Sequence, residues 1–375
     1  MIYLSILISI IYLALIIAFI IGFKKVELIK DKNTAPKNRF SVIIPFRNEA
    51  LNLPDLLLSL SVLNYPADLF EILLINDDSE DFFSDIIEEF TRENPNLNLR
   101  LINNIRKTNS PKKDAINTAI NESKFEWIVT TDADCMIPKL WLLLFNQFIE
   151  DEQPLFISAP VKFREQHSFL FHFQNLNFIS LMGSTLGGFG LKKPFMCNGA
   201  NLCYRKDAFF KLKGFEDNTH IASGDDIFLM EKMSIAFPEK IKFLKSDEAI
   251  VKTNTENNWK LFLNQQIRWA SKSTSYKSMF AKFVGLCVFL ENLIVLILGI
   301  SVLLFPKFWI YFMLVLTIKI IVDFILITQT SIFLKNTKSL IYYLPTSLLY
   351  PFFIVFTGCL SVLKNYEWKG RSFTK

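Results

Sequence analysis

Hydrophobic and polar positions divide the chain into three regimes. Met1 to Phe23 contains no charged residue and is long enough to cross a bilayer. Three further apolar runs come late, at about 283–305, 308–330 and 340–363. Between them, short apolar runs alternate with polar ones. Phe40-Ser41-Val42-Ile43-Ile44 predicts a strand stopped by Pro45, and helical spacing follows over 51–63. Phe70 to Ile75 predicts a second buried strand, followed by a helix over 82–92, a short strand at 99–102, a helix over 112–121 and a strand at 127–130. This alternation predicts a parallel sheet with helices on both faces. A helix over 140–149 and a strand over 156–163 come next. The stretch 167–190 is rich in Phe and Leu, and its glycine-dense end, Gly183 to Gly190, predicts a flexible loop.

Composition places the long apolar runs in a membrane. It is 51% hydrophobic with a mean hydropathy of +0.29, too apolar for an ordinary soluble protein, and the excess sits in the long runs. The first run lacks the basic start and small-residue cleavage site of a secretory signal, so it reads as an uncleaved anchor. Lys24, Lys25, Lys30, Lys32, Lys37 and Arg39 follow it, which predicts a cytoplasmic flank and a cytoplasmic central domain on an integral protein of the cell inner membrane. Five scattered cysteines without metal-ligand spacing suit that reducing side. A net charge of +5, densest beside the anchor, points to anionic lipid and away from nucleic acid. Four full spans would put the basic tail on the outer face, against the charge rule, and Pro345 and Pro351 suggest that the last run re-enters.

Polar clusters follow three of the expected strands, which places one site across the carboxyl edge of the sheet. After the strand at 70–75 comes Asn76-Asp77-Asp78-Ser79-Glu80-Asp81; after the strand at 127–130 comes Thr131-Asp132-Ala133-Asp134. Asp132 and Asp134, one residue apart in extended backbone, point to one side. Such a pair suits a hard divalent cation carrying substrate phosphates, and equally a solvated turn.

The motifs, taken in order from about Arg39 to Trp269, resemble membrane-bound family 2 glycosyltransferases of the GT-A (Rossmann-like) fold. The resemblance is greatest to the branch with ceramide glucosyltransferases and the catalytic subunits of cellulose and hyaluronan synthases. It rests on Ser41–Glu49, Asp77, Lys112-Lys113-Asp114-Ala115-Ile116-Asn117, Asp132 with Asp134, Asp226, and Gln265-x-x-Arg268-Trp269. It implies an α/β nucleotide-sugar-binding domain over 39–255, preceded by an anchor (1–23) and a basic linker (24–38). An interfacial region with the Gln-x-x-Arg-Trp motif (256–282), transmembrane segments (283–363) and a basic tail (364–375) follow.

The activity so implied is metal-dependent, inverting transfer from a UDP- or GDP-sugar to a lipid or lipid-linked acceptor. The alternatives are a polysaccharide synthase subunit or a catalytically silent binding protein. Asp134 assisted by Asp132 would hold Mg²⁺ or Mn²⁺, Asp77 would meet the nucleobase or ribose, and Lys112, with Arg47 as a weaker candidate, would balance phosphate charge. Arg268 would fork onto the diphosphate and Trp269 would face a sugar ring, with Gln265 beside them. His167, His172 and His220 form no cluster, so the base is a carboxylate, Asp226. Asp225 stands where the family has Glu and competes for that role. Asp78 stands where the family's loop often has Gly. Trp-Lys-Gly-Arg at 368–371 resembles the tails of relatives. Phe169, Phe171, Phe173 and Phe178 read as core, with a lipid path as the other option. Lys319 and Asp323, four apart, are expected to pair inside a span, and Glu291 lies in another.

Overall fold

The computed structural model describes residues 2–219, 221, 223–363, 366–368 and 371–373. Its helices are α1 (Ile2–Lys25), α2 (Leu53–Ser61), α3 (Phe83–Glu93), α4 (Pro111–Glu122), α5 (Trp141–Glu152), α6 (Phe169–Gly190), α7 (Lys206–Lys211), α8 (Asp225–Ala236), α9 (Trp259–Ser271), α10 (Met279–Leu304), α11 (Trp309–Phe333) and α12 (Tyr343–Leu363). The strands are β1 (Phe40–Phe46), β2 (Phe70–Asn76), β3 (Leu99–Asn103), β4 (Trp127–Thr130), β5 (Phe156–Ser158), β6 (Val161–Phe163), β7 (Leu202–Arg205), β8 (Ile241–Phe243) and β9 (Val251–Thr253). A short antiparallel pair, β10 (Tyr366–Trp368) and β11 (Arg371–Phe373), follows. Two compact units result: Glu27–Arg164 with Met196–Asn254, and Met1–Val26 with Glu165–Phe195 and Thr255–Lys375.

The first unit is built on a seven-stranded sheet of order β3-β2-β1-β4-β7-β5-β8. The parallel half follows directly from the apolar runs. Val42, Ile43 and Ile44, Ile72 to Ile75, and Ile128 and Val129 are fully buried, as strands covered on both faces must be. The sheet is not parallel throughout, however. β7 runs antiparallel to both β4 and β5, so the parallel sheet expected from the alternation over β1–β4 is one half of a mixed sheet. The expected strand over 156–163 is also two strands. Pro160 lacks an amide donor, and the chain leaves the main sheet there, so that β6 pairs with β9 instead.

The second unit is helical. Four helical stretches, Ile2–Lys25, Met279–Leu304, Pro306–Phe333 and Lys338–Leu363, are long and apolar enough to cross a membrane. α12 is unbroken through a buried Pro351. Residues 165–195, inside the stretch expected as one domain, belong here, and Gly183–Gly190 is helix rather than loop. Gly183, Gly187 and Gly190 each remove a side chain where another helix approaches. A Cβ on Gly190 would lie 1.8 Å from the Gly22 carbonyl oxygen, one on Gly187 2.6 Å from Phe19, and one on Gly183 2.4 Å from Thr330. Close packing of that kind offsets the helix penalty of about 1 kcal/mol per glycine. Phe171, Phe173 and Phe178 are core, while Phe169 is exposed.

Polar groups inside these long apolar helices are paired, one pair within α11 and two contacts across helices. Lys319 Nζ donates to Asp323 Oδ2 (2.6 Å), Tyr12 Oη donates to Asp323 Oδ1 (2.6 Å), and Ser9 Oγ donates to Glu291 (2.9 Å). These contacts tie α1 to α10 and α11, as desolvated polar groups in an apolar bundle require.

Candidate active site

The carboxyl ends of β1, β2 and β4 lie along one edge of the sheet, with Phe46 opposite Asn76 and Thr130 opposite Ile43. Asp132 and Asp134 leave β4 there, both partly exposed. Asp134 Oδ2 accepts from Thr253 Oγ1 (3.1 Å), and β9 is itself pinned by reciprocal backbone bonds between Met136 and Lys252. The Thr130 hydroxyl donates to the Gly199 carbonyl (3.0 Å), and the Gly199 amide donates to Asp226 Oδ2 (3.2 Å). The Asn198-Gly199 turn thus fastens the end of β4 to the head of α8. A Cβ on Gly199 would come within 3.3 Å of Asp225 Oδ2 and 3.5 Å of Lys112 Nζ, so glycine permits the close approach. Gly224, with φ of 83°, supplies the left-handed turn that opens α8.

Lys112 joins these pieces. Its Nζ donates to Asp132 Oδ1 at 2.7 Å and lies 3.4 Å from Asp225 Oδ2. Burial alone would lower its pKa. The carboxylates of Asp132, Asp225 and Asp226 outweigh that and raise it, so the ammonium stays charged at any working pH. Asp225 is therefore engaged by Lys112, whereas Asp226 is oriented by backbone amides, from Gly199 and from Ile227 (2.8 Å). Beside the pair, the Cys135 thiol is pushed well up by burial and then by the charges of Asp134 and Asp132, which keeps it protonated and inert.

Asp77 ends β2 on the same edge, but its carboxylate is 5% exposed and already engaged. Asn104 Nδ2 (2.7 Å) and Arg106 Nε (2.8 Å) both donate to its Oδ1. Arg47 turns inward too. It donates to the carbonyls of Asp77 and Asp78 and to Glu80, and so braces two loops. Asp78 has φ of 63°, the left-handed conformation glycine favours, which accounts for the residue type at that position. Gln265, Arg268 and Trp269 lie on α9, in the helical unit, and Gln265 Nε2 donates to Glu256 Oε1 (3.0 Å). His167 is exposed and His172 buried. His220, and Lys369 and Gly370 of the tail motif, lie outside the described residues.

Several supporting residues carried no signal in the sequence. Lys113, fully buried, donates to the carbonyls of Asn218 (2.7 Å) and Ile221 (2.8 Å), and Ser110 donates to that of Thr219 (2.8 Å). Together they hold the segment ahead of α8. Asn201 donates to the carbonyls of Pro160 and Ala249 and accepts from Trp141 Nε1, fixing the Cys197–Asn201 turn. The Asn-Gly pair at 198–199 was the available sequence signal for that turn.

Residues 127–356 match the family described as glycosyl transferase family group 2. The chain belongs to that family. Residues 41–212 also match the glycosyl transferase family 2 domain. Among curated relatives of this chain are the probable glycosyltransferase YdaM of Bacillus subtilis (strain 168) and a poly-beta-1,6-N-acetyl-D-glucosamine synthase of Staphylococcus epidermidis. YdaM is 25% identical over 62% of this chain and 54% of its own length; the synthase is 25% identical over 66% and 57%. The chain thus spans little more than half the length of these relatives. Of solved structures, the mannosyltransferase PcManGT from Pyrobaculum calidifontis, in complex with GDP-Man and Mn²⁺, aligns over 96% of this chain and 98% of its own. Its TM-score is 0.59 at 14% identity, which shows a shared GT-A fold.

Among the described residues no cluster of three or more His, Cys, Asp or Glu side chains could hold a metal by itself. Asp132 and Asp134 do fit a cation that draws its remaining ligands from a substrate: two oxygen donors from one turn, at the sheet edge, with a lysine next to them.

Proposed function

We propose that this family 2 glycosyltransferase is an inverting enzyme that passes a sugar from a UDP- or GDP-sugar to a hydroxyl of a membrane lipid or lipid-linked acceptor. The observation that carries the reading is the convergence of Asp132, Lys112, Asp225 and Asp226 at the end of β4 and the head of α8. Transfer breaks the bond between the anomeric carbon and the diphosphate and forms one to the acceptor oxygen. Negative charge builds on the departing phosphate, and a proton leaves the acceptor hydroxyl.

Each of these needs has a residue. Lys112 supplies fixed positive charge beside Asp132. Asp134 and Asp132 would hold Mg²⁺ or Mn²⁺, which would neutralise the diphosphate as it leaves. Asp226, oriented by two amides, would take the acceptor's proton. With one base and no activated nucleophile assigned, the displacement is single and inverts the anomeric centre. Asp77 would meet the nucleoside from the neighbouring strand end, and Gln265, Arg268 and Trp269 would contact diphosphate and sugar. The sheet unit would face the cytoplasm, with the four apolar helices in the inner membrane.

A second reading, synthesis of a polysaccharide, is favoured by the name of the staphylococcal relative. Purified full-length protein incubated with a panel of nucleotide sugars, with and without membrane lipid, tests both. Lipid-stimulated release of nucleoside diphosphate supports the first, and a polymeric product supports the second. No release from any donor would refute both.

A further inference from the structure

The helical unit contains a cavity of about 160 Å³ lined by Glu165, His167, His172, Asn336, Lys338 and Tyr342, among others. Its place in the bundle is set by contacts within that unit. Phe23, near the end of α1, packs edge-on against Phe333, the last residue of α11 (6.0 Å). α6 packs beside these helices: Gly187 meets Phe19, Gly183 meets Thr330, and Asn175 and His172 meet Ser339 in the link from α11 to α12. The cavity is at the N-terminal end of α6, where the dipole favours negative charge.

A directed chain of hydrogen bonds prepares the buried wall. Asn336 Nδ2 donates to Asn175 Oδ1 (3.1 Å), and Asn175 Nδ2 donates to Ser339 Oγ (2.7 Å). With its oxygen accepting there, Ser339 has its hydrogen for His172 Nδ1, 2.9 Å away. When Ser339 donates that hydrogen, Nδ1 is the acceptor and the ring hydrogen is on Nε2, the tautomer the proposal below uses. Tyr342 stacks on the imidazole at 4.0 Å and 11°, fixing its plane. Burial, and then the charge of His167, hold the His172 pKa below the usual value, consistent with a neutral ring. Opposite stands Lys338, its ammonium 2.7 Å from Glu165 in an exposed and therefore weak pair.

We propose that this cavity binds a small phosphate ester bearing hydroxyl groups, with Lys338, His167 and the His172 Nε2–H on the phosphate and Glu165 accepting from the hydroxyls. The cavity is about half the size of the smallest usual ligand pockets, so it admits a headgroup rather than a nucleotide sugar. The same chemistry is offered by a glycerophospholipid headgroup and by a soluble polyol phosphate.

The test measures binding, not turnover, and so stands apart from the proposed transferase activity. Full-length protein in a neutral detergent is titrated with glycerol 3-phosphate by calorimetry. Separately, it is examined by native mass spectrometry for retention of phosphatidylglycerol against diacylglycerol of the same chains. Lys338→Gln and His167→Gln, both at exposed positions, are compared with Lys282→Gln, an exposed lysine outside the cavity. The expected result is at least a tenfold loss of affinity in the first two and none in the control. Selective retention of phosphatidylglycerol identifies a lipid; binding of glycerol 3-phosphate alone identifies a soluble ester. Binding of neither, equal retention of diacylglycerol, or binding unchanged in both cavity variants would overturn the proposal.

Discussion

Lys112→Met removes a cation that joins the end of β4 to the head of α8, and its effect can be estimated. With an effective dielectric constant of about 20, Coulomb attraction at the observed 2.7 and 3.4 Å is roughly 6 and 5 kcal/mol, before desolvation. Most of that is cancelled. Losing one partner of a buried pair costs about 3–5 kcal/mol, and a surface pair is worth about 0–1. The three side chains, 21%, 36% and 12% exposed, fall between these limits, nearer about 2 kcal/mol after screening at Asp132. Lys112 also sits in the first turn of α4, where a cation opposes the helix dipole, so its removal returns about 0.5 kcal/mol.

A net loss of about 1.5 kcal/mol is therefore expected. The assay is urea unfolding of the full chain in detergent, run as a double-mutant cycle with Asp132→Asn. A coupling of about 1 kcal/mol or more is expected, because the two side chains share one hydrogen bond. Effects that add to within about 0.3–0.5 kcal/mol would show that the contact contributes nothing and that Lys112 does not hold the site together.

Four further outcomes follow from the same geometry. Asp226→Asn should lower turnover by roughly 10²–10⁴-fold with donor affinity nearly unchanged, while Asp225→Asn acts mainly through Lys112; the reverse pattern in steady-state kinetics would move the base by one residue. Asp134→Ala or EDTA should abolish release of nucleoside diphosphate while circular dichroism stays native, and full activity in EDTA would rule out the metal role. Gly187→Leu should destabilise the helical unit by about 1–3 kcal/mol, read as a lowered melting temperature in detergent, since even a Cβ there lies 2.6 Å from Phe19. A cysteine placed at Asn121 should escape impermeant thiol reagents on intact cells; efficient labelling would invert the proposed topology.

Much of this was legible in the chain because burial on both faces writes itself as uninterrupted apolar runs. β1, β2 and β4 fall where Val, Ile and Leu cluster, and the carboxylates that end them follow by connectivity alone. β7 was not legible. Leu202–Arg205 is four residues long, and its direction is set by partners on either side, not by its own pattern. The glycines of α6 misled for a related reason: alone they signal a loop, and only α1 and α11 packed against them make them helical. Adjacent residues could not be told apart either. Lys112 and Lys113 differ in the sequence only by position, yet one meets carboxylates and the other a pair of carbonyls; Asp225 and Asp226 part company in the same way.

The hydrogen bond from Tyr12 to Asp323 joins residues 311 positions apart, and that from Ser9 to Glu291 joins residues 282 apart. During synthesis at about 5–20 residues per second, α1 waits roughly 15–60 s for the partners of its two polar side chains. Throughout that interval a tyrosine and a serine of α1 lack these partners, and by its end the whole of the sheet unit has been synthesised. The helical bundle is thus the last part of the molecule to close. A ribosome stalled just before residue 291 would carry the complete sheet unit behind an α1 that still lacks its polar partners.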